Sequence, residues 1–151
     1  MNETEKTIDE ILARLFITTL KIEEKTIASE SNRTLSISEL HVLREIGTGK
    51  TKTMSQVAEG LKISVGALTT AVSKLEKKGL VVRKRNTEDK RIVHISLTKG
   101  GIENFKMHDK FHKKMVEAAL SSLSDEEQDI LLKSLTALDD WFIAEWTRIK
   151  D

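Results

Sequence analysis

Within residues 64–97 the spacing of apolar side chains changes from a helical to a strand period, and no other stretch constrains the fold as tightly. Val65, Leu68, Val72 and Leu75 make one helical stripe, and Ser64 ahead of them carries a hydroxyl suited to an orphan first-turn amide. Gly79 suits the left-handed turn that ends such a helix. Residues 80–85 and 91–97 are then two short runs rich in Val and Ile, joined by the polar turn residues Asn86, Thr87, Glu88, Asp89 and Lys90, which is a hairpin pattern. In the second run Val93, Ile95 and Leu97 share one face. Ile92, His94 and Ser96 take the other, where His94 is expected at the surface or beside a phosphate.

The predicted helix leaves Gly66, Ala67, Thr69, Thr70, Ser73, Lys74 and Lys77 facing outward. Small, hydroxylated and cationic side chains let a helix press its backbone into a groove the width of the DNA major groove. Arg83, Lys84, Arg85, Lys90 and Arg91 gather at the free end of the hairpin. A helix followed by a basic hairpin is the layout of a winged helix-turn-helix, in which one element reads the major groove and the other touches a minor groove or phosphate. The outward face from Ser64 to Ser73 holds no Arg, Asn or Gln for bidentate base contacts. Ala67, Thr69 and Thr70 are instead suited to thymine methyl groups, and Ser64, Ser73 and Lys74 to phosphate, so the expected operator is an inverted repeat rich in A·T pairs.

The rest of the chain reads as helices that hold this unit. Ile8, Ile11, Leu12, Leu15, Phe16, Leu20, Ile22 and Ile27 recur at helical spacing over residues 7–27, followed by a loop through Asn32 and Arg33. Ser36 with Glu39, Thr53 with Gln56, and Ser124 with Glu127 are three capping-box spacings, predicting helices at 37–46, from about 54 through 61, and from about 125 to 149. Thr98 is placed to cap another helix running to about residue 119. The last helix carries Leu131, Leu135, Leu138, Trp141, Phe142, Trp146 and Ile149 on one stripe. Apolar faces as wide as those of the first and last helices either pack within one monomer or exchange their surface with a second copy about a two-fold axis. Their width favours exchange, with Ile8, Ile11, Leu12, Leu15, Leu138, Trp141, Phe142 and Trp146 at the contact and two recognition helices about one DNA turn apart.

Charge is distributed to match. Residues 50–114 carry 16 basic and 6 acidic side chains, while both flanks are net acidic and the whole is +1. A basic centre between acidic ends points to a localised polyanion site. The absence of cysteine excludes disulfide and thiolate chemistry, and the absence of proline leaves the long helical patterns uninterrupted. No apolar run is long enough to span a bilayer, and the polar, acidic start gives no secretory signal, so a cytoplasmic location is expected. The fold class that follows is mainly α with a small β-hairpin wing. Residues 35–97 form the DNA-binding domain and residues 1–34 and 98–151 a helical dimerisation region.

The motifs LSISELHVLREIG (35–47), VAEGLKIS (57–64), LEKKGLVVRKR (75–85) and DKRIVHISLTKGG (89–101) resemble the MarR family of bacterial winged-helix regulators over essentially the whole chain. In that family an arginine of the wing enters the minor groove while an aspartate two residues earlier holds it. The resemblance implies those roles for Arg91 and Asp89, and an obligate homodimer built from the first and last helices. KIEEKT (21–26), ELHVL (39–43) and HDKFHKKMVEA (108–118) are similar to the fatty-acid-synthesis repressors of Firmicutes known as FabT. That likeness implies a corepressor made of a long acyl chain on acyl carrier protein, and an effector pocket lined by Phe16, Leu20, Leu40, His41, Phe105, His108, Phe111, His112 and Met115. The apolar members of that set also fit an ordinary core.

His108 and His112 are four residues apart and share a helical face, a spacing at which two imidazoles can hold one metal. The zinc-sensing MarR regulators place ligands at similar positions, which implies His41, His108, His112 and Glu23 or Glu24 as the alternative set. The cations Lys106, Lys110, Lys113 and Lys114 weigh against a metal there, so the histidines are read as structural or pocket-lining, with no resident cofactor. HDKFH differs by one methylene from the metalloprotease pattern whose glutamate is the general base, leaving a metal-dependent hydrolase only as a remote alternative. No phosphate loop, serine elbow or paired-carboxylate set supports an enzyme.

Overall fold

Asn2 and Glu5 open the first helix with a reciprocal pair: the Glu5 amide donates to Asn2 Oδ1 (2.9 Å) and the Asn2 amide to Glu5 Oε2 (2.8 Å). This cap moves the start of α1 (Glu3–Glu30) four residues ahead of the expected position. The structure, a computed structural model, describes residues 1–30 and 35–150 and, of residues 27–30 and 150, the backbone alone. The loop expected at Asn32 and Arg33, and the side chain of Ile27, lie outside the described residues. Residues 1–110 and 111–151 form two compact units.

In the first unit α1 is followed by α2 (Ile37–Ile46), β1 (Lys52–Thr53), α3 (Met54–Gly60), α4 (Val65–Lys77), β2 (Val81–Arg85) and β3 (Val93–Leu97). Helix α5 (Lys99–Leu120) continues from it, and α6 (Asp125–Lys150) belongs to the second unit. The expected class, mainly α with a small winged sheet, is the class observed. All three capping boxes form, each with its hydroxyl accepting an amide and its Glu or Gln returning the bond. They form because each is a contact within four residues, decided before any tertiary packing.

The core lies where α2, α3, α4 and the sheet meet. Leu43, Val57, Leu68, Val72, Leu75, Leu80 and Ile95 are its fully buried side chains. Three residues of α4, spaced four and three apart, therefore anchor the helix, and Gly66, Ala67, Thr69, Thr70 and Lys74 stay exposed. Val65, expected on the same stripe, is 47% exposed, because the first turn of α4 projects beyond the core towards the wing. The turn from α3 to α4 needs Lys62 at φ +57°, with the Ile63 amide bonded back to the Ala58 carbonyl (3.0 Å).

The sheet has three strands in the order β1-β3-β2, all antiparallel. β1 was not expected from the sequence, since two residues have no period to detect. The second wing strand begins at Val93, two residues later than expected, because the tip is folded on itself. The Asn86 amide donates to the Ile92 carbonyl (2.9 Å), and Asn86 Oδ1 accepts from the Glu88 and Asp89 amides (2.8 and 3.1 Å). With β3 central, His94 is half-buried rather than at the surface, its Nε2 3.3 Å from Asn86 Nδ2.

Two of the polar contacts between elements of this unit seat its helices. Lys78 donates to both carboxylate oxygens of Glu39 (2.8 and 2.7 Å), tying the end of α4 to the start of α2. Burial alone would raise the Glu39 pKa, but the Lys78 bond and charge, with the Ser36 amide and hydroxyl, outweigh it and hold the carboxyl below its ordinary value. Thr98 accepts from the Gly101 amide (3.1 Å) and donates to the Gly79 carbonyl (2.7 Å), seating α5 on the wing's base. The approach leaves no room for a side chain, since a Cβ on Gly101 would stand 2.0 Å from the Leu80 carbonyl oxygen.

Gly101→Ala is therefore expected to cost about 1–3 kcal/mol in urea unfolding, as overpacking does. Gly66→Ala, in a helix where a Cβ meets only the Ser64 hydroxyl at 3.8 Å, should be neutral or stabilising by the same assay. A folded-state pKa below the unfolded value means that Glu39 stabilises the protein fully above the ordinary carboxylate pKa, and that this is lost as pH falls through the lowered one. Acid unfolding of Lys78→Met should accordingly begin at higher pH than that of the unaltered chain.

Candidate nucleic-acid interface

The exposed face of α4 is more ordered than its composition suggests. Ser64 Oγ accepts the Ala67 amide (3.1 Å), and Thr69, Thr70 and Ser73 each donate their hydroxyl to the carbonyl four residues earlier (2.8, 3.3 and 2.8 Å). With the protons committed to the helix, these hydroxyl oxygens are left as acceptors in locked rotamers. Gly66, Ala67, Thr69, Thr70 and Lys74 are all exposed on this helix, as its spacing requires. Ser73 is half-buried and also receives a hydrogen bond from Arg83 Nη2 (3.1 Å), so both its proton and a lone pair are used inside the unit.

Arg91 stands at the wing tip with its side chain 95% exposed. Asp89 Oδ1 accepts the Arg91 amide at 2.9 Å and lies 3.7 Å from its Nε. An ion pair this open is worth about 0–1 kcal/mol to stability. Lys90 and Arg85 are exposed beside it. Between the tip and α4 runs an open cleft of about 670 Å³, lined on one side by Val65 and Thr69 and on the other by Arg83, Arg85 and Arg91. The sequence reading grouped Arg83 with the free cations, whereas its guanidinium is bound to Glu76 and Ser73.

The residues expected to line an effector pocket are distributed less evenly. Leu40 is buried in the core cluster. Phe16 (58%), Leu20 and Met115 are exposed, and Phe105, Phe111 and His112 are half-buried. Of the proposed dimer residues, Ile8, Ile11, Leu15, Trp141, Phe142 and Trp146 are exposed in the single chain, Trp141 at 55%, while Leu12 and Leu138 are half-buried.

A polar cluster, buried except at His41, joins α1, α2 and α5 within the first unit. Glu23 Oε1 lies 2.9 Å from His108 Nε2 and Oε2 lies 3.4 Å from His41 Nε2. One donor atom from each of the three lies within 4.8 Å of the others. Of the two carboxylates left open by the sequence, Glu23 is the one at the cluster, and Glu24 is exposed. His112 sits one turn further along α5, in the second unit, against the ring of Phe111. Burial lowers the His108 pKa against the opposing pull of Glu23, with Arg44 and His41 adding to the lowering. The imidazole is held towards its neutral form, which can accept a proton or a metal.

Comparison with known proteins agrees with this geometry. The sequence profile of the MarR family matches residues 35–93. The zinc-responsive regulator ZitR of Lactococcus lactis is 34% identical over 116 residues, covering 75% of this chain and 79% of its own. Its crystal structure superposes with a TM-score of 0.67 at 30% identity, covering 92% of this chain and 99% of that one. FabT of Streptococcus pneumoniae, solved in complex with DNA, gives a TM-score of 0.84 at 36% identity over 93% of this chain and 98% of that one. The repressor MdtR of Bacillus subtilis is 29% identical over 107 residues, 71% of this chain and 69% of its own. With the helix-turn-helix, the wing and the arginine at its tip in place, the chain belongs to the MarR family of winged helix-turn-helix, DNA-binding transcriptional regulators.

Proposed function

We propose that two copies of the chain, joined through the apolar faces of α1 and α6, bind an A·T-rich inverted repeat in the cytoplasm and repress fatty acid synthesis genes. The corepressor in this reading is long-chain acyl-acyl carrier protein. Residues 35–97 supply the DNA contacts and residues 1–34 and 98–151 the dimer and effector surfaces. The observation that carries it is the likeness to FabT, which extends over nearly the whole chain and is nearer in chain path than the likeness to ZitR, 0.84 against 0.67 in TM-score. The exposed Phe16 and Leu20 of α1 offer an acyl chain apolar surface, and water-exposed tryptophans on α6 are what a second copy would cover.

Zinc sensing is the second reading, favoured by one observation. Glu23, His41 and His108 bring a carboxylate and two imidazoles together at separations that a tetrahedral ion can bridge with small side-chain shifts. A two-histidine, one-carboxylate set fits zinc and leaves a fourth position for a further ligand. Zinc there would join three helices through coordination where a hydrogen bond between Glu23 and His108 and a longer contact to His41 join them now.

An operator titration separates the two. Fluorescence anisotropy on an A·T-rich inverted repeat should show affinity raised by acyl carrier protein carrying a long acyl chain and not by the unloaded carrier. A response to zinc ion that disappears in the His41→Ala, His108→Ala variant, with the acyl carrier inert, would reverse the ranking. Light scattering should give a particle of twice 17.1 kDa. Arg91→Ala should remain a dimer yet lose affinity by about 1–3 kcal/mol, with the sequence preference of the flanking minor groove relaxed. Normal operator binding by that variant would refute the wing assignment.

A further inference from the structure

Glu76 is an acidic side chain on the basic lobe, the penultimate residue of the recognition helix. Its partners explain what it does there. Glu76 Oε2 accepts from Arg83 Nε (2.8 Å) and from Nη2, and Oε1 accepts from the Arg83 backbone amide (3.2 Å). Ser73 Oγ, one turn earlier on α4, accepts from the same Nη2 (3.1 Å). Because β3 is the central strand, β2 is an edge, and the Arg83 amide on its open side would otherwise face water. A carboxylate on α4 thus takes both the backbone and the side chain of one wing residue. The guanidinium fork is turned inward to the protein, so Arg83 lines the cleft without being available to it as Arg85 and Arg91 are.

We propose that Glu76 and Arg83 are positioning residues for DNA binding: the pair sets the distance between the reading face of α4 and the arginine at the wing tip. Three residues, Lys78, Gly79 and Leu80, separate α4 from β2, and Gly79 adopts φ +70°. The connection itself is short but has a flexible residue at its centre, and the Glu76 contact braces it from the side. Two probes that must enter adjacent grooves together need a defined spacing, and freedom in that spacing is entropy lost on binding. The proposal rests on the DNA-binding role of the family and is independent of which effector the protein senses.

The sign of one substitution tests it. Glu76→Gln removes a negative charge from the DNA-facing lobe, so simple electrostatics demands tighter binding to every duplex. Positioning demands the opposite on a specific site. On a duplex recovered by selection with the unaltered protein, Glu76→Gln should bind about tenfold more weakly, while a scrambled duplex is bound equally or better. Arg83→Gln should lose similarly on the selected duplex, the double variant should be no worse than either single one, and the slope of log affinity against log salt should be unchanged. The proposal is overturned if Glu76→Gln tightens both duplexes, which would make it a repelling charge alone. It is equally overturned if Arg83→Gln lowers the salt slope by about 1, the mark of a lost phosphate contact. Parallel loss on both duplexes with a matching fall in urea stability would also overturn it, leaving the pair a folding contact.

Discussion

Burial of Leu68, Val72 and Leu75 against α2, α3 and the sheet is the interaction from which the functional geometry follows. Burying a Val or Leu side chain contributes about 1.5–3 kcal/mol, so three anchors suffice to hold a thirteen-residue helix down. That economy leaves Gly66, Ala67, Thr69, Thr70 and Lys74 of α4 exposed to solvent. The small and hydroxylated side chains are tolerable only because the core does not need them, and they are what permits a close approach to another surface. The wing depends on the same core, since Leu80, Val81 and Ile95 bring the sheet into it. Reading helix and wing are therefore parts of a single packed object, with Glu76 and Arg83 as an added polar brace at their junction.

The second organising contact is polar and nearly buried. Glu23 of α1 joins His41 of α2 and His108 of α5, and α2 packs in turn on α4. A buried carboxylate is costly unless its oxygens are hydrogen-bonded, and here each oxygen faces an imidazole. His41 is a side chain of α2, and α2 packs on α4, so the cluster and the recognition helix share one packed neighbour.

What was legible in the sequence was local. Ser36 with Glu39, Thr53 with Gln56 and Ser124 with Glu127 each depend on a contact three residues away, and each formed. The stripe of α4 was readable because three of its members reach a continuous core, and it failed only at Val65, where the helix outruns that core. The two-residue β1 carried no period, so the centrality of β3 and the enclosure of His94 were out of reach. Pairings across elements were harder still. His108 and Glu23 lie 85 positions apart, and Arg83 looked like one more free cation because nothing in its spacing from Glu76 distinguishes a brace from a solvated charge. Side-chain chemistry named the candidates; topology chose among them.

The back-bonded hydroxyls of α4 have a consequence for the promoters such a protein governs. A bidentate side-chain contact imposes about 1–3 kcal/mol on a wrong base, and a face whose Thr69 and Thr70 protons are already spoken for offers no hydroxyl proton for one. If this face reads DNA as proposed, each base pair is judged by methyl contact and contour, with a small penalty spread over many positions. Sites of graded strength would then arise from a few nucleotide changes, and a gene would enter or leave the regulator's reach in small evolutionary steps.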